Sequence, residues 1–302
     1  MADTNLTCKI CGHDCFFLLK KDRWLLFQCS HCNVVFVDPP PHIDYLKEEV
    51  YSEKAKYQIK KISSQLKAKP TERFERFLKF IEKDGAGRKI LDVGCSSGEF
   101  MYFANQRGYQ MWGVELNKKT ASIAQADGLN VFLGTLSEAK YENNFFDYIL
   151  LGDVIEHVPD PRELIAECVR ILSNNGKIII ATPNIGCFWS RATLILYRLF
   201  KIPWSSIDPP GHLFYFSEAN LNLLMKQFSF LPVKVRYDKK SDLRNELGHT
   251  HLWGRFKRDR SIKNALFFVF GFGVYTLLYV IDSAISPFKR QTFVMTAIYR
   301  RV

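Results

Sequence analysis

The run RKILDVGCSSGEFMYFANQRGYQMWGVELN, beginning at Arg88, constrains the fold more than any other part of the chain. It predicts a strand, a glycine loop, a helix and a second strand. Lys89 to Val93 is an apolar run that ends in a loop containing Gly94 and Gly98, where small residues let a ligand approach the backbone and a helix can start. Glu115 closes the next strand, 23 residues after Asp92, a position from which a carboxylate can accept both ribose hydroxyls of a nucleotide. The alternation continues through NVFLGTL, FFDYILLGDVIEHVPDP, a helix starting at Pro161 with Asp160 as its cap, and GKIIIATPN. Strands alternating with helices predict an α/β, doubly wound parallel sheet. A dinucleotide-binding dehydrogenase is the competing reading of a glycine loop plus acid. It requires a third glycine for close helix packing, and EFMYFA after Gly98 has none.

These residues resemble class I S-adenosylmethionine-dependent methyltransferases, in the branch related to ubiquinone-biosynthesis O-methyltransferases. LDVGCSSG is similar to the first motif of that family, with Ser96 where many members carry glycine, and VIEHVPDP and PPGHLFYFSEANLNLLM are similar to later ones. The resemblance implies a Rossmann-like, mostly parallel seven-stranded sheet, with FLPVKVRYD as sixth strand and QTFVMTAIYRR as an antiparallel seventh inserted back into the sheet. It also implies S-adenosylmethionine as cofactor. Asp92, Gly94, Cys95 and Gly98 would then surround the methionine part, Glu115 the ribose, and the backbone near Thr135 and Leu136 the adenine, with Leu116 and Asp153 completing the set. The acidic residue usual directly after the third strand is absent from FLGTLSEA.

Upstream, Cys8, Cys11, Cys29 and Cys32 form C-x2-C, a gap of 17 residues and C-x2-C, the spacing of a zinc ribbon. Gly12 and Asn33 follow the two pairs and tolerate the left-handed turn of a metal knuckle. The reading is a small N-terminal zinc ribbon over 1–38, a proline linker and helical segment over 39–84, and the methyltransferase domain over 85–302. TERFERFLKFIEK in the middle segment places Phe74, Phe77, Leu78 and Ile81 on one helical face. A four-thiolate site is closed, so its expected role is to hold a short segment folded.

For catalysis, His157 and His212 lie beyond the ends of parallel strands, where ligands bind in this architecture and a general base is useful for a hydroxyl acceptor. The alternative is that one caps a loop and the other packs on a lid. Asp153, Glu156 and His157 form D-x-x-E-H, similar to the E-x-x-E-H metal motif of small-RNA 2′-O-methyltransferases and some quinone O-methyltransferases. With His212 as a further ligand, they could hold a catalytic divalent cation.

Two apolar insertions interrupt the domain, at about 185–210 and 246–290. In the second, Ala265 to Ile281 contains nothing more polar than Thr276, the lower length limit of a transmembrane helix. Crossing a bilayer would strand the seventh strand on the far side, so a helix or hairpin packed on the protein or lying in the membrane interface is expected instead. Arg255, Lys257, Arg258, Arg260 and Lys263 precede it, and Lys289 and Arg290 follow, as expected for an anionic membrane surface. Net charge +11 also suits nucleic acid. The richest basic cluster, however, flanks an apolar run rather than an aromatic-interleaved stripe, so an RNA methyltransferase is the weaker alternative. A non-catalytic scaffold is a second alternative, against which the intact glycine loop and Glu115 speak. MADTNLTCKICGHD has no apolar signal region, which leaves a cytoplasmic enzyme peripheral to the membrane, acting on an amphipathic or lipid-linked acceptor such as a sugar or quinone.

Overall fold

Two sheets organise the chain. The computed structural model describes residues 6–46, 70–202, 204–238, 261–289 and 292–302. The first sheet begins with β1 (Cys15–Lys21), β2 (Trp24–Cys29) and β3 (Val35–Val37), followed by one turn of helix, α1 (Ile43–Tyr45). After the linker, α2 (Glu72–Asp84) is capped by Thr71, whose hydroxyl accepts the Phe74 amide, and closed by Gly85 in the left-handed region at φ 67°. Phe77, Leu78 and Ile81 are buried, which is the predicted face.

The large sheet then builds up as expected. β4 (Lys89–Val93), α3 (Glu99–Gln106), β5 (Gln110–Glu115), α4 (Lys118–Ala126), β6 (Val131–Leu133), β7 (Phe146–Gly152), α5 (Pro161–Ile171) and β8 (Leu172–Pro183) alternate in order. There follow α6 (Phe188–Phe200), β9 (Phe214–Tyr215), α7 (Glu218–Lys226), β10 (Phe230–Tyr237), α8 (Ile262–Lys289) and β11 (Val294–Arg301). The strand order is β10-β11-β8-β7-β4-β5-β6. β4 to β8 are parallel, and β11 inserts antiparallel between β8 and β10, with Ala297 opposite Ile180. The predicted seventh strand therefore sits inside the sheet, buried from Met295 to Tyr299. Strands covered on both faces read as continuous apolar runs, which is how ILDV and KIIIA were recognisable.

Two features extend the sequence reading. The ribbon sheet does not end with β3: β9, from late in the methyltransferase domain, adds a fourth strand, with Val35 opposite Tyr215 and Phe36 opposite Phe214. Ribbon residues Ile10, Leu26, Val35 and Phe36 belong to the same buried cluster as Ile155, Leu213 and Ile180, so residue 38 marks where the chain leaves the ribbon, not where packing stops.

The described part of the second apolar insertion is a single helix. α8 has 28 residues, about 42 Å at 1.5 Å per residue. It lies against α6, with Trp189 tilted on Tyr275 at 5.6 Å and Phe200 edge-on to Phe270 at 6.2 Å. Tyr275 is fully buried on this seam, yet only 17% of the window Phe268–Ile285 is buried. Val269, Phe270, Phe272, Leu277 and Val280 face outward, next to Ile195, Leu199 and Phe200 of α6. Residues 255–260 and 290, which carry most of the predicted basic flanks, lie outside the described residues.

Candidate active site

The glycine loop is held shut by its own backbone. Gly94 and Cys95 amides both donate to Val114 O, at 2.7 and 3.2 Å, and Gly94, Ser96 and Gly98 all have positive φ. A Cβ on Gly94 would meet the Val154 side chain at 2.7 Å, and one on Gly98 would meet Leu129 at 2.2 Å, so both glycines are required by close packing as well as by conformation. The Cys95 side chain is buried, close enough to Gly113 that a Cβ there would sit 2.7 Å from Sγ. It therefore offers a ligand its backbone rather than its thiol.

Glu115 ends β5 as predicted, accepting the Ser96 amide at 2.8 Å and the Asn117 amide at 2.7 Å on its two oxygens. These bonds fix the carboxylate at the end of β5, where a ribose diol would donate to the same two oxygens. Burial raises its pKa against these amide bonds. Beside it opens a cleft of about 410 Å³ lined by Leu116, Lys118, Phe132, Leu133, Gly134 and Glu138. Its apolar walls suit a flat heteroaromatic ring. Thr135 reaches this edge, but its amide donates to Glu138 at 2.6 Å, and Leu136 is buried behind it. Although no acid stands directly after the third strand, the Glu138 carboxylate lines this cleft, accepting the Thr135 amide and hydroxyl.

Asp92 is buried beneath the loop, and burial, with Glu115 nearby, pushes it up to about 8. Asp153 leaves β7 in the left-handed region at φ 56° and forms a two-pronged ion pair with Arg73 of α2, at 2.7 and 3.1 Å. Sequence reasoning missed Arg73. The available signal was two arginines, Arg73 and Arg76, beside the apolar stripe of α2, both of which bind acids of the main domain, Asp153 and Asp238.

Glu156, His157 and His212 come together, their ligand-capable atoms all within 4.8 Å of one another. Asp153 is not in this group, because it is turned to Arg73. The His157 Nδ1 donates to Gly211 O at 2.5 Å, which fixes the neutral tautomer and leaves the lone pair on Nε2, 4.0 Å from Glu156 Oε1. Burial lowers the His157 pKa. Glu156 is 1% exposed; its Oε2 accepts the Thr182 hydroxyl at 2.9 Å, while Oε1 has no hydrogen-bond partner among the described residues. Burial and the charge of Asp153 push its carboxyl up to about 8. A buried carboxylate oxygen beside two imidazoles fits either a shared proton or a divalent cation.

The four cysteines also converge. Cys8 and Cys32 lie 3.7 Å apart and Cys11 and Cys29 3.4 Å apart, and all four sulfurs fall within 4.8 Å of each other as free thiols. Amides of Ile10 and of His31 and Cys32 donate to Cys8 and Cys29. The Cys32 contact, with help from backbone amides, holds Cys8 down at about 5. Such N–H donors stabilise thiolates, and the set fits a closed tetrahedral zinc.

Comparisons with known proteins bear on this geometry. The chain matches the family described as Methyltransferase domain over residues 62–235. It is similar to the ubiquinone biosynthesis O-methyltransferase of Idiomarina loihiensis, 33% identical over 119 residues, which cover 35% of this chain and 48% of that protein. The corresponding enzyme of Alkalilimnicola ehrlichii is 28% identical over 180 residues, 54% of this chain and 73% of that one. The chain spans about half the length of the first of these curated relatives. Among solved structures, a SAM dependent methyltransferase from Archaeoglobus fulgidus superposes with a TM-score of 0.50 at 18% identity, covering 80% of this chain and 98% of that one.

Proposed function

From the premise that this chain belongs to the methyltransferase-domain family, we propose that it methylates a hydroxyl on an amphipathic or lipid-linked acceptor, such as a quinone or lipid-linked sugar, at a membrane surface. The observation that carries the reading is the Glu156–His157–His212 group, placed against the glycine loop through the contact of Val154 with Gly94.

S-adenosylmethionine supplies an electrophilic methyl carbon on a sulfonium. Glu115 would accept the ribose hydroxyls, and Leu116 with Phe132 and Leu133 would wall the adenine. Arg73 is the cation available to the amino-acid carboxylate, and Asp153 and Asp92 are the acids available to its ammonium. His157, neutral and with Nε2 as the basic atom, takes the acceptor proton, and the Gly211 carbonyl stabilises the imidazolium that results. A divalent cation held by Glu156, His157 and His212 would instead polarise the acceptor oxygen. One zinc in the cysteine cluster completes the chain.

The outward apolar faces of α6 and α8 support a lipid setting, and the positive charge around them in sequence supports an anionic, cytoplasmic-face one. The test is to incubate the protein with labelled methyl donor and cell fractions. Label entering extractable lipid or lipid-linked glycan is expected, and label entering RNA alone would overturn the acceptor class. Metal analysis of protein purified under reducing conditions should find one zinc per chain; none would remove zinc from the cysteine cluster.

A further inference from the structure

We propose that the N-terminal ribbon is a working wall of the acceptor site, which positions Glu156, His157 and His212 from outside the methyltransferase fold, with Phe36 as the main positioning residue. This rests on the reading of those three residues as the acceptor-activating group.

The segment 207–215 carries His212, and its Gly211 carbonyl holds the His157 ring. The ribbon grips this segment at both ends. At its start, Lys21 of β1 donates to Ile207 O at 2.5 Å. At its finish, Val37 donates to Leu213 O at 2.9 Å, β3 pairs with β9, and the Phe36 ring stacks on Phe214 at 5.7 Å with 16° between planes. The amides of Leu213 and Phe214 then both donate to Glu156 O, at 2.7 and 3.0 Å. A continuous hydrogen-bonded path thus runs from β3 through 213–214 to the backbone of Glu156. The loop of Glu156 and His157 is held on its other side as well, because Lys9 of the first knuckle donates to Pro159 O at 3.0 Å. Gln227 and Arg162, behind that loop, both reach Ile10 O.

β9 has two residues and, among the described residues, only β3 as its strand neighbour. So short a strand has no stability of its own, and its backbone groups need the ribbon edge to be satisfied. Tyr215, buried, donates to His212 O at 2.9 Å and accepts the Asp208 amide at 3.1 Å, so a shift at β9 is passed directly to the His212 turn. The glycine loop and Glu115 take none of these bonds. The ribbon should therefore control turnover without controlling cofactor affinity.

The test uses the full-length chain with Phe36→Ala and Phe36→Leu. S-adenosylhomocysteine affinity by calorimetry should stay within about twofold of the parent, while amide exchange at Leu213 and Phe214 accelerates by about 10²-fold in Phe36→Ala and less in Phe36→Leu, as expected for local opening. In the labelled-methyl assay on the acceptor fraction, kcat should fall in Phe36→Ala, and less in Phe36→Leu, with KM for the donor unchanged. Unchanged protection at 213–214 would overturn the proposal. If Phe36→Ala unfolds the chain, Phe36→Leu decides: equal loss of protection at Leu213 and at Ile179 or Ile298 of the central sheet overturns it, and selective loss at Leu213 supports it. Exchange needs no acceptor, so a failure of the catalytic reading, seen as normal turnover in His157→Ala, is distinguishable from a failure of this mechanical link.

Discussion

The two sides of the active edge are built by opposite means. On the cofactor side, Gly94, Gly98 and Glu115 come from one strand-loop-helix-strand unit, and Glu115 takes the Ser96 and Asn117 amides, 19 and 2 residues away. On the acceptor side, His157 leans on a carbonyl 54 residues away, Glu156 on a hydroxyl 26 residues away, and β9 on a strand of the ribbon. A site made of local contacts forms with its supersecondary unit, whereas one made of distant contacts exists only when every contributor has docked. The cofactor side can therefore bind in variants whose acceptor side has lost its geometry.

The largest expected effect breaks the acceptor side alone. His157→Ala or His212→Ala should slow methyl transfer by about 10² to 10⁴, the usual worth of a general base, with cofactor affinity nearly intact. Normal turnover in both variants would remove them as base or ligand. Loss of activity with a chelator that is rescued by a divalent cation would assign the group to a metal, and indifference to chelator would assign it to a proton. On the other side, Glu115→Ala should weaken S-adenosylmethionine by about 1.5 to 3 kcal/mol, the range for hydrogen bonds to a charged group. Calorimetry showing equal affinity would take Glu115 out of the ribose site.

A smaller effect separates the two sides by pH. Asp92 is pushed up to about 8 from an ordinary 3.8, so the folded state holds its proton more tightly than the unfolded chain. Its contribution to stability is fully present below about 4 and is lost as pH rises through 8, with a slope of at most about 1.4 kcal/mol per pH unit. Asp92→Asn should flatten that part of a denaturant midpoint curve, and an unaltered curve would show that Asp92 is ionised in the folded protein. The smallest effects per residue concern the outer face. Replacing Arg255, Lys257, Arg258 and Arg260 by glutamine should remove the salt-sensitive part of binding to anionic vesicles, about 1 kcal/mol per residue near the surface. Replacing Phe270 and Leu277 by serine should remove the salt-resistant part. Absence of vesicle binding at any salt would leave the apolar face without a lipid role.

The same contrast governs what could be read from the sequence. Periodicity and the glycine loop predict β4, α3, β5 and the capped α5, because each depends on its own residues, whereas the inserted β11 is expected only from the family resemblance. His157, His212 and Glu156 are readable as candidates from spacing, but that Asp153 would turn to Arg73 is not, since the competing cation comes from a helix 80 residues upstream. The pairing of β3 with β9 has no signature at all: two residues carry no period, and Phe214 reads equally well as core. Glu138 is hidden for a different reason, since it reaches the cleft through the turn at Thr135 rather than by position in a strand.

The long helix α8 interrupts a pair of strands whose ends are already joined. Tyr237 stands opposite Met295, and the Asp238 amide donates to Val294 O at 3.0 Å, so the chain leaves the sheet and re-enters it at the same point. An excursion with coincident ends adds only the slowly growing entropy of a longer loop, about 0.6 kcal/mol per doubling of length. It leaves the register of every neighbouring strand untouched. The helix is in this sense an interchangeable cassette: its length and outer face can vary without rebuilding the domain. A tight hairpin substituted there should yield a chain that still pairs β10 with β11 and differs chiefly in what its surface adheres to.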